Sequence, residues 1–284
     1  MAWAATTTPG TKLVLDIGGT PYLLEGVTSL TPPPLSRPSV EWTPINATAK
    51  SFKTGRPAYG KMSGELAVMS TDASFLALLA LYNAAPSAAI KTIGVSTTEP
   101  GAKEYRWSAF CDEFGLMFPN EGLVKARFGF QAASAITAGS ATSVTPNASF
   151  SPILSQGTTL GFWTGAAYTT LNGVEDIELS GGSRDSSPAT PINASAASLL
   201  PGYRGQTKLS FTLLWDTTET TTHGAIFTSA NALTPTTDKF KITLTDSETI
   251  TMENCNIDAF ELPSAPGVNR VKITATVNGG IAFD

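Results

Sequence analysis

The chain has 284 residues, 42% of them apolar but only 14% charged, with a formal net charge of −5 and one histidine. The length accommodates two ordinary domains with real cores, and the shortage of charge, against about a quarter in typical domains, predicts surface buried against other copies or other proteins. No basic excess is present to neutralise a phosphate backbone. One histidine excludes chemistry needing two, and two cysteines without CxxC or Cys/His spacing exclude a zinc site.

Residues 1–9 read as an N-terminal arm, without the basic and then long apolar stretch of a secretory signal. LVLDIGGT at 13–20 resembles the first phosphate loop of sugar kinases, in which glycines let backbone N–H groups face phosphate. Its apolar run, small-residue turn, Tyr22 and Gly26-Val27 equally make a β-hairpin signature. The counterpart later in the chain, LGFWTGAAYTTLNGV, has lost the aspartate and one glycine, so the hairpin reading is adopted and no nucleotide chemistry is expected.

TPPPLSRPSVEW at 31–42 is a proline-rich loop leading to a strand at TPINA. Loops of this length in a compact domain are usually functional or disordered, and twelve extended residues reach roughly 40 Å. STDASFLALLALYNAA is the one convincing helix: Ser70 or Thr71 is expected to cap it, Asp72 to lie in its first turn and Pro86 to end it, with Phe75, Leu78, Leu79 and Tyr82 on one face. Val124, Ala126, Phe128 and Phe130 alternate as in a half-buried strand.

TPINATA at 43–49 recurs as TPINASA at 190–196, 147 positions later. Gly10-Thr11 and Gly26-Val27 recur at the same step, as Gly157-Thr158 and Gly173-Val174. The alternating run returns as Val271, Ile273, Ala275 and Val277. The chain therefore reads as a duplicated domain: copy 1 at 10–135, a Ser/Thr/Ala/Pro-rich linker at 136–156, and copy 2 at 157–284. In copy 2, LSFTLLW, FKITLTD, TITMENC and RVKITATV are strands, SGGSRDSSPAT at 180–190 matches the long loop, and TTHGAIFTSANAL is a weaker helix. His223, in a polar run, is expected to be a solvated loop residue, and both cysteines to be buried.

Each repeat opens on Gly-Thr-x-Leu, better kept at 157–160. It continues through Tyr168, Gly173-Val174, Ile177, the long loop and TPINAS, then PGYRGQTKLSFTL and FKITLTDSETITMENCNIDAF. In this order the motifs resemble the major tail tube protein of long-tailed, siphovirus-type bacteriophages, over nearly all of copy 2 and more loosely over copy 1. The resemblance implies a mainly β fold of two tandem β-sandwich domains, each with a flanking helix, that closes a β-barrel on oligomerisation. It implies a structural virion protein whose stacked rings conduct DNA to the host, assembled in the host cytoplasm, with no enzymatic activity, cofactor or membrane. Partners implied are other copies, the tape measure protein, tail terminator or tail tip proteins, and DNA as passing cargo. Since relatives with one domain form six-membered rings, the duplicated frame predicts trimeric rings of pseudo-sixfold symmetry.

The long loops supply the expected contacts between rings: Pro32, Pro33, Pro34, Arg37, Pro38 and Trp42 from copy 1, and Arg184, Asp185 and Pro188 from copy 2. An acidic bore would let DNA slide, and Glu25, Glu41, Asp112, Asp176 and Asp258 are candidates to line it. The pairs Asp112-Glu113 and Glu175-Asp176 are not read as acid/base pairs, because adjacent strand residues face opposite ways. An extracellular adhesin or pilus-like subunit is the alternative function, equally Thr-rich but in need of an export route.

Overall fold

A computed structural model describes residues 12–17, 19–45, 48–96, 103–190, 197–216, 218–233, 237–261, 269–278, 281 and 283–284. The proposed arm at 1–9, the Gly10-Thr11 motif and PINASA of the second TPINAS lie outside the described residues.

The first half runs β1 (Lys12–Ile17), β2 (Thr20–Leu23), β3 (Val27–Thr31), β4 (Leu35–Ser36), β5 (Ser39–Glu41), β6 (Phe52–Thr54), β7 (Ala58–Tyr59), β8 (Lys61–Ala67), α1 (Ala73–Asn83), β9 (Lys91–Ser96), β10 (Lys103–Phe118), β11 (Lys125–Ala132) and β12 (Thr137–Ser140). The second runs β13 (Thr159–Trp163), β14 (Tyr168–Thr170), β15 (Val174–Ser180), β16 (Arg184–Pro188), β17 (Leu199–Arg204), β18 (Thr207–Leu214), α2 (His223–Ala230), β19 (Asp238–Thr243), β20 (Thr249–Glu261) and β21 (Arg270–Val277). The fold is mainly β, with open antiparallel sheets.

The same pairing order occurs in both halves. The first reads β2-β1-β9-β10-β11-β8-β3 and the second β14-β13-β19-β20-β21-β18-β15. In each, one long strand serves two layers. β10 pairs with β9 through residues 104–109 and with β11 from 109 onward, as β20 pairs with β19 and then β21. Side chains from both layers, Leu13, Leu15, Ile93 and Val95 on one and Met62, Leu66, Phe128 and Phe130 on the other, meet in one core, the packing of a β-sandwich. That core runs without a break into the second half through Phe114, Phe118, Ile177, Leu179 and Phe211. The alternating positions are buried as expected, Val124 to Phe130 and Val271 to Val277 alike.

DIGGT forms a hairpin. Ile17 faces Thr20 across the β1–β2 turn, Gly19 sits at φ +87°, and Asp16 Oδ1 accepts from its N–H at 2.9 Å. The aspartate is a turn residue here.

Three expectations about local structure are corrected. Helix α1 is capped by Asp72, whose carboxylate accepts from the Ser74 and Phe75 N–H groups at 3.1 Å, rather than by Ser70 or Thr71. The segment read as a linker is bound to the first half: β12 pairs with β10, and Ile153 bridges Val68 and Val124 through its backbone. His223 is buried, 2% exposed. It opens α2, stacks on Trp215 at 5.2 Å, accepts from the Asp216 N–H at Nδ1 and meets the Asn172 carbonyl at Nε2. Its polar sequence neighbours gave no hint of Trp215.

Candidate assembly surfaces

The halves meet along a strand edge. The distal end of β10 pairs antiparallel with β15, Gly115 opposite Ser180 and Phe118 opposite Ile177. The Gly181 N–H continues the ladder to the Phe114 carbonyl at 2.7 Å. A Cβ at Gly181 would fall 2.1 Å from the Tyr82 hydroxyl, so glycine is required by close approach. Helix α1 is clamped in this junction: Phe75 packs edge-on against Phe283 at 5.4 Å, the Tyr82 hydroxyl donates to the Gly182 carbonyl, and the Asn83 amide donates to the Ile281 carbonyl.

The junction produces one continuous eight-stranded run, β3-β8-β11-β10-β15-β18-β21-β20. Its ends are the counterparts of the surfaces joined in the middle. β3 corresponds to β15 and, among the described residues, has β8 as its one sheet partner, and the end of β20 corresponds to the end of β10. Unpaired edges invite further strands. The β3 edge runs into Pro32, Pro33 and Pro34, which stand where the second half has Leu179, Ser180 and Gly181. Prolines donate no hydrogen bond, so past Thr31 this edge can be joined only through its carbonyls. At the other end α2 leaves Phe227 47% exposed, with the Phe260 and Trp215 rings against it.

The two long loops are corrected to ribbons. β4 pairs with β7 and β5 with β6, so residues 35–59 form a two-stranded arm. Thr43, Pro44 and Ile45 of TPINA lie at its tip rather than in a strand, and the rest of that motif lies outside the described residues. β16 and β17 form the second arm, and the Ala197 N–H donates to the Pro57 carbonyl at 3.1 Å, tying the arms together. Leu35, Val40, Trp42, Ile45 and Phe52 are all more than half exposed along the first arm, with Leu200 and Tyr203 along the second. Lys53 lies over the Trp42 ring at 4.6 Å and Lys50 bridges Glu41 at 3.1 Å, so the ribbon is ordered by its own cross-strand pairs.

Of the expected contact residues, Pro34, Arg37, Pro38, Trp42, Asp185 and Pro188 are exposed, and Pro32 and Pro33 half-buried at the root of the first arm. Arg184 is not at the surface. It is 5% exposed and donates to four backbone carbonyls inside the junction, because the loop it was assigned to begins as a strand there.

Of the candidate bore residues, Asp112, Asp176 and Asp258 lie in the continuous sheet, each at a register shift: between Cys111 and Glu113, Val174 and Ile177, and Ile257 and Ala259. Glu25 lies in the turn before β3, accepting from the Asn147 N–H, and Glu41 lies in the arm. Contrary to strict alternation, the bulge turns both Asp112 and Glu113 toward Lys61. Burial pushes the Asp112 carboxyl up despite the Lys61 charge. Burial opposes the Lys61 charge, but Glu113 and Asp112 outweigh it and raise the ammonium.

The water-facing side of this sheet carries both signs in register. Arg127 stands opposite Glu65, Nε to Oε1 3.0 Å, and Lys272 opposite Glu261. Arg270 grips Glu175 through two bonds of 2.7 and 2.8 Å, which lowers that carboxylate below its ordinary range. Arg127, Glu65, Arg270, Lys272 and Glu261 are not singled out by the sequence, because their pairing depends on registers set elsewhere in the fold.

One further feature lies apart from this sheet. A groove of about 620 Å³ runs between α2 and β13, lined by Phe162, Trp163, Thr228, Ser229 and Asp238 among others. Among the described residues no group of three or more His, Cys, Asp or Glu is placed to hold a metal ion, and no helix is long and apolar enough to cross a membrane. Both cysteines are buried free thiols, their pKa values driven up by burial, to about 12 for Cys255.

No protein-family model matches the chain, and no curated protein matches its sequence. Among solved structures, a chain from the tail of an empty GTA particle, computed with helical refinement in C6 symmetry, aligns at 14% identity with a TM-score of 0.35. The alignment covers 44% of this chain and 95% of that one.

Proposed function

We propose that this chain is a structural subunit of a phage tail tube, in which three copies form a ring of pseudo-sixfold symmetry and rings stack around a channel for DNA. One observation carries the reading: the β10–β15 junction joins two halves of like strand order and leaves their counterpart surfaces open at opposite ends of a single sheet. A contact between unlike surfaces propagates head to tail and either closes a ring or grows a filament. If chains join as the halves do, β3 of one copy meets the end of β20 of the next, and three chains supply six four-stranded units to a closed barrel without free edges. The paired ionic side of the sheet then faces the bore, and the apolar arms reach the adjacent ring. The covalent link between halves raises the local concentration of every second junction.

Electron cryomicroscopy of concentrated protein tests this. The expected result is tubes with three chains per ring. Monomers at every concentration, or rings of six chains with one half projecting outward, would overturn it. A glycan-binding monomer would favour an adhesin.

A further inference from the structure

The second half seats one arginine in the first. Nη2 of Arg184 donates to the carbonyls of Tyr82 and Ala84 at 2.9 and 2.8 Å, Nη1 to Gly202 at 2.9 Å, and Nε to Cys111 at 3.3 Å. Tyr82 and Ala84 lie at the end of α1, Ala84 being its C-cap, and α1 has no basic residue in its last turn. Carbonyls at a helix C-terminus lack intrahelical donors and carry the negative end of the dipole. Arg184 satisfies them from the neighbouring unit.

The residue 147 positions before Arg184 is Arg37. It is exposed on the first arm, and no hydrogen bond or ion pair holds it among the described residues. Each acceptor of Arg184 has a counterpart. Gly202 maps to Gly55, beside Arg37 in the same arm, where its N–H donates to the Pro38 carbonyl. Tyr82 and Ala84 map to Ser229 and Asn231 at the end of α2, Asn231 being its C-cap; α2 also has no basic residue in its last turn, and the Ser229 carbonyl already accepts from the Ala232 N–H at 3.2 Å. Cys111 maps to Ile257, since each precedes the extra residue of a bulge, in β10 and β20. The last three belong to the far end of the sheet. Seven strand steps separate β20 from β3, roughly 30 Å, so Arg37 cannot reach them in its own chain.

We infer that Arg37 docks on the Asn231 and Ile257 carbonyls of a neighbouring copy, as Arg184 docks on their counterparts within the chain. This rests on the proposed ring, and it makes Arg37 a contact within a ring rather than between rings.

The test compares wild type, Arg37→Ala and Arg37→Lys by thermal unfolding and sedimentation velocity. Arg37→Ala is expected to keep the wild-type Tm while weakening self-association at least tenfold. Arg37→Lys should recover only part, because a point charge does not span diverging carbonyls as a guanidinium does. Arg184→Ala, by contrast, should lower the Tm of the isolated chain. Should Arg37→Ala unfold, the double variant Arg37→Cys/Asn231→Cys decides, with oligomers linked between chains expected on treatment with a bifunctional thiol crosslinker of about 10 Å span, because an arginine reaches further than a disulfide bridges. Wild type and Arg37→Ala assembling alike, or a double variant that gives no link between chains, would overturn the inference alone. Wild type that stays monomeric at every concentration removes the tube reading and the inference with it.

Discussion

Lys61 and Asp112 face each other across the intervening strand β11, Nζ to Oδ2 3.3 Å, although a strictly alternating β10 would send Asp112 and Glu113 to opposite sides. The bulge after Cys111 makes the difference and gives Lys61 two carboxylates. Asp112 Oδ1 is buried without a hydrogen-bond partner, so this carboxylate is only half satisfied.

The raised pKa of Asp112 has a definite sign. A carboxyl held above its unfolded value near 4 stabilises the fold while protonated, and that contribution is lost as pH rises through the folded pKa. Asp112→Asn should therefore flatten the stability profile just above pH 4 and change stability at pH 7 by less than ~1 kcal/mol, since Glu113 still neutralises Lys61. Urea unfolding at several pH values checks this, and a loss of several kcal/mol at pH 7 would contradict it.

Glu219 gives the opposite dependence. Burial pushes it up, but bonds from the His223, Thr222 and Thr221 N–H groups and the Thr222 hydroxyl outweigh that and hold its pKa at about 2. Thr222 itself provides no side-chain cap, so Glu219 serves the start of α2. Glu219→Gln should cost about 1 kcal/mol at pH 7 after allowance for partial exposure, and the difference should fade between roughly pH 4.5 and 2. Parallel curves for the two proteins across that range would disprove the role.

The first arm is self-ordered, and Glu41 faces Phe52 across it. Replacing residues 42–51 with Asn-Gly supplies a two-residue hairpin turn at that register. The shortened chain should keep its Tm within ~2 °C and form rings that fail to stack into long tubes. Tubes of normal length in electron micrographs would remove the arm from stacking.

The paired charges of the continuous sheet predict weak retention of DNA. Glu65→Gln with Glu175→Gln frees Arg127 and Arg270 from their carboxylates. Assembled wild-type tubes should bind duplex DNA no tighter than non-specific proteins at physiological salt, and the double variant should bind more tightly with a steeper salt dependence. Equal binding by the two would show that these pairs do not face DNA.

Local chemistry made part of this architecture legible. Alternation from Val124 to Phe130 and from Val271 to Val277 depends on nearest-neighbour geometry, and those side chains are buried. The DIGGT hairpin and α1 likewise follow from a glycine turn and a short carboxylate cap, interactions spanning three residues. What tertiary structure decided involves residues far apart in the chain. Arg184 is buried because carbonyls about a hundred positions away lack donors, His223 because Trp215 and the Asn172 carbonyl close over it, and the long loops become ribbons because each finds its partner strand across its own tip. A polar side chain carries no local mark of such partners. Its exposure is settled only when folding brings the acceptors to it, since an unpaired buried charge costs far more than a solvated one.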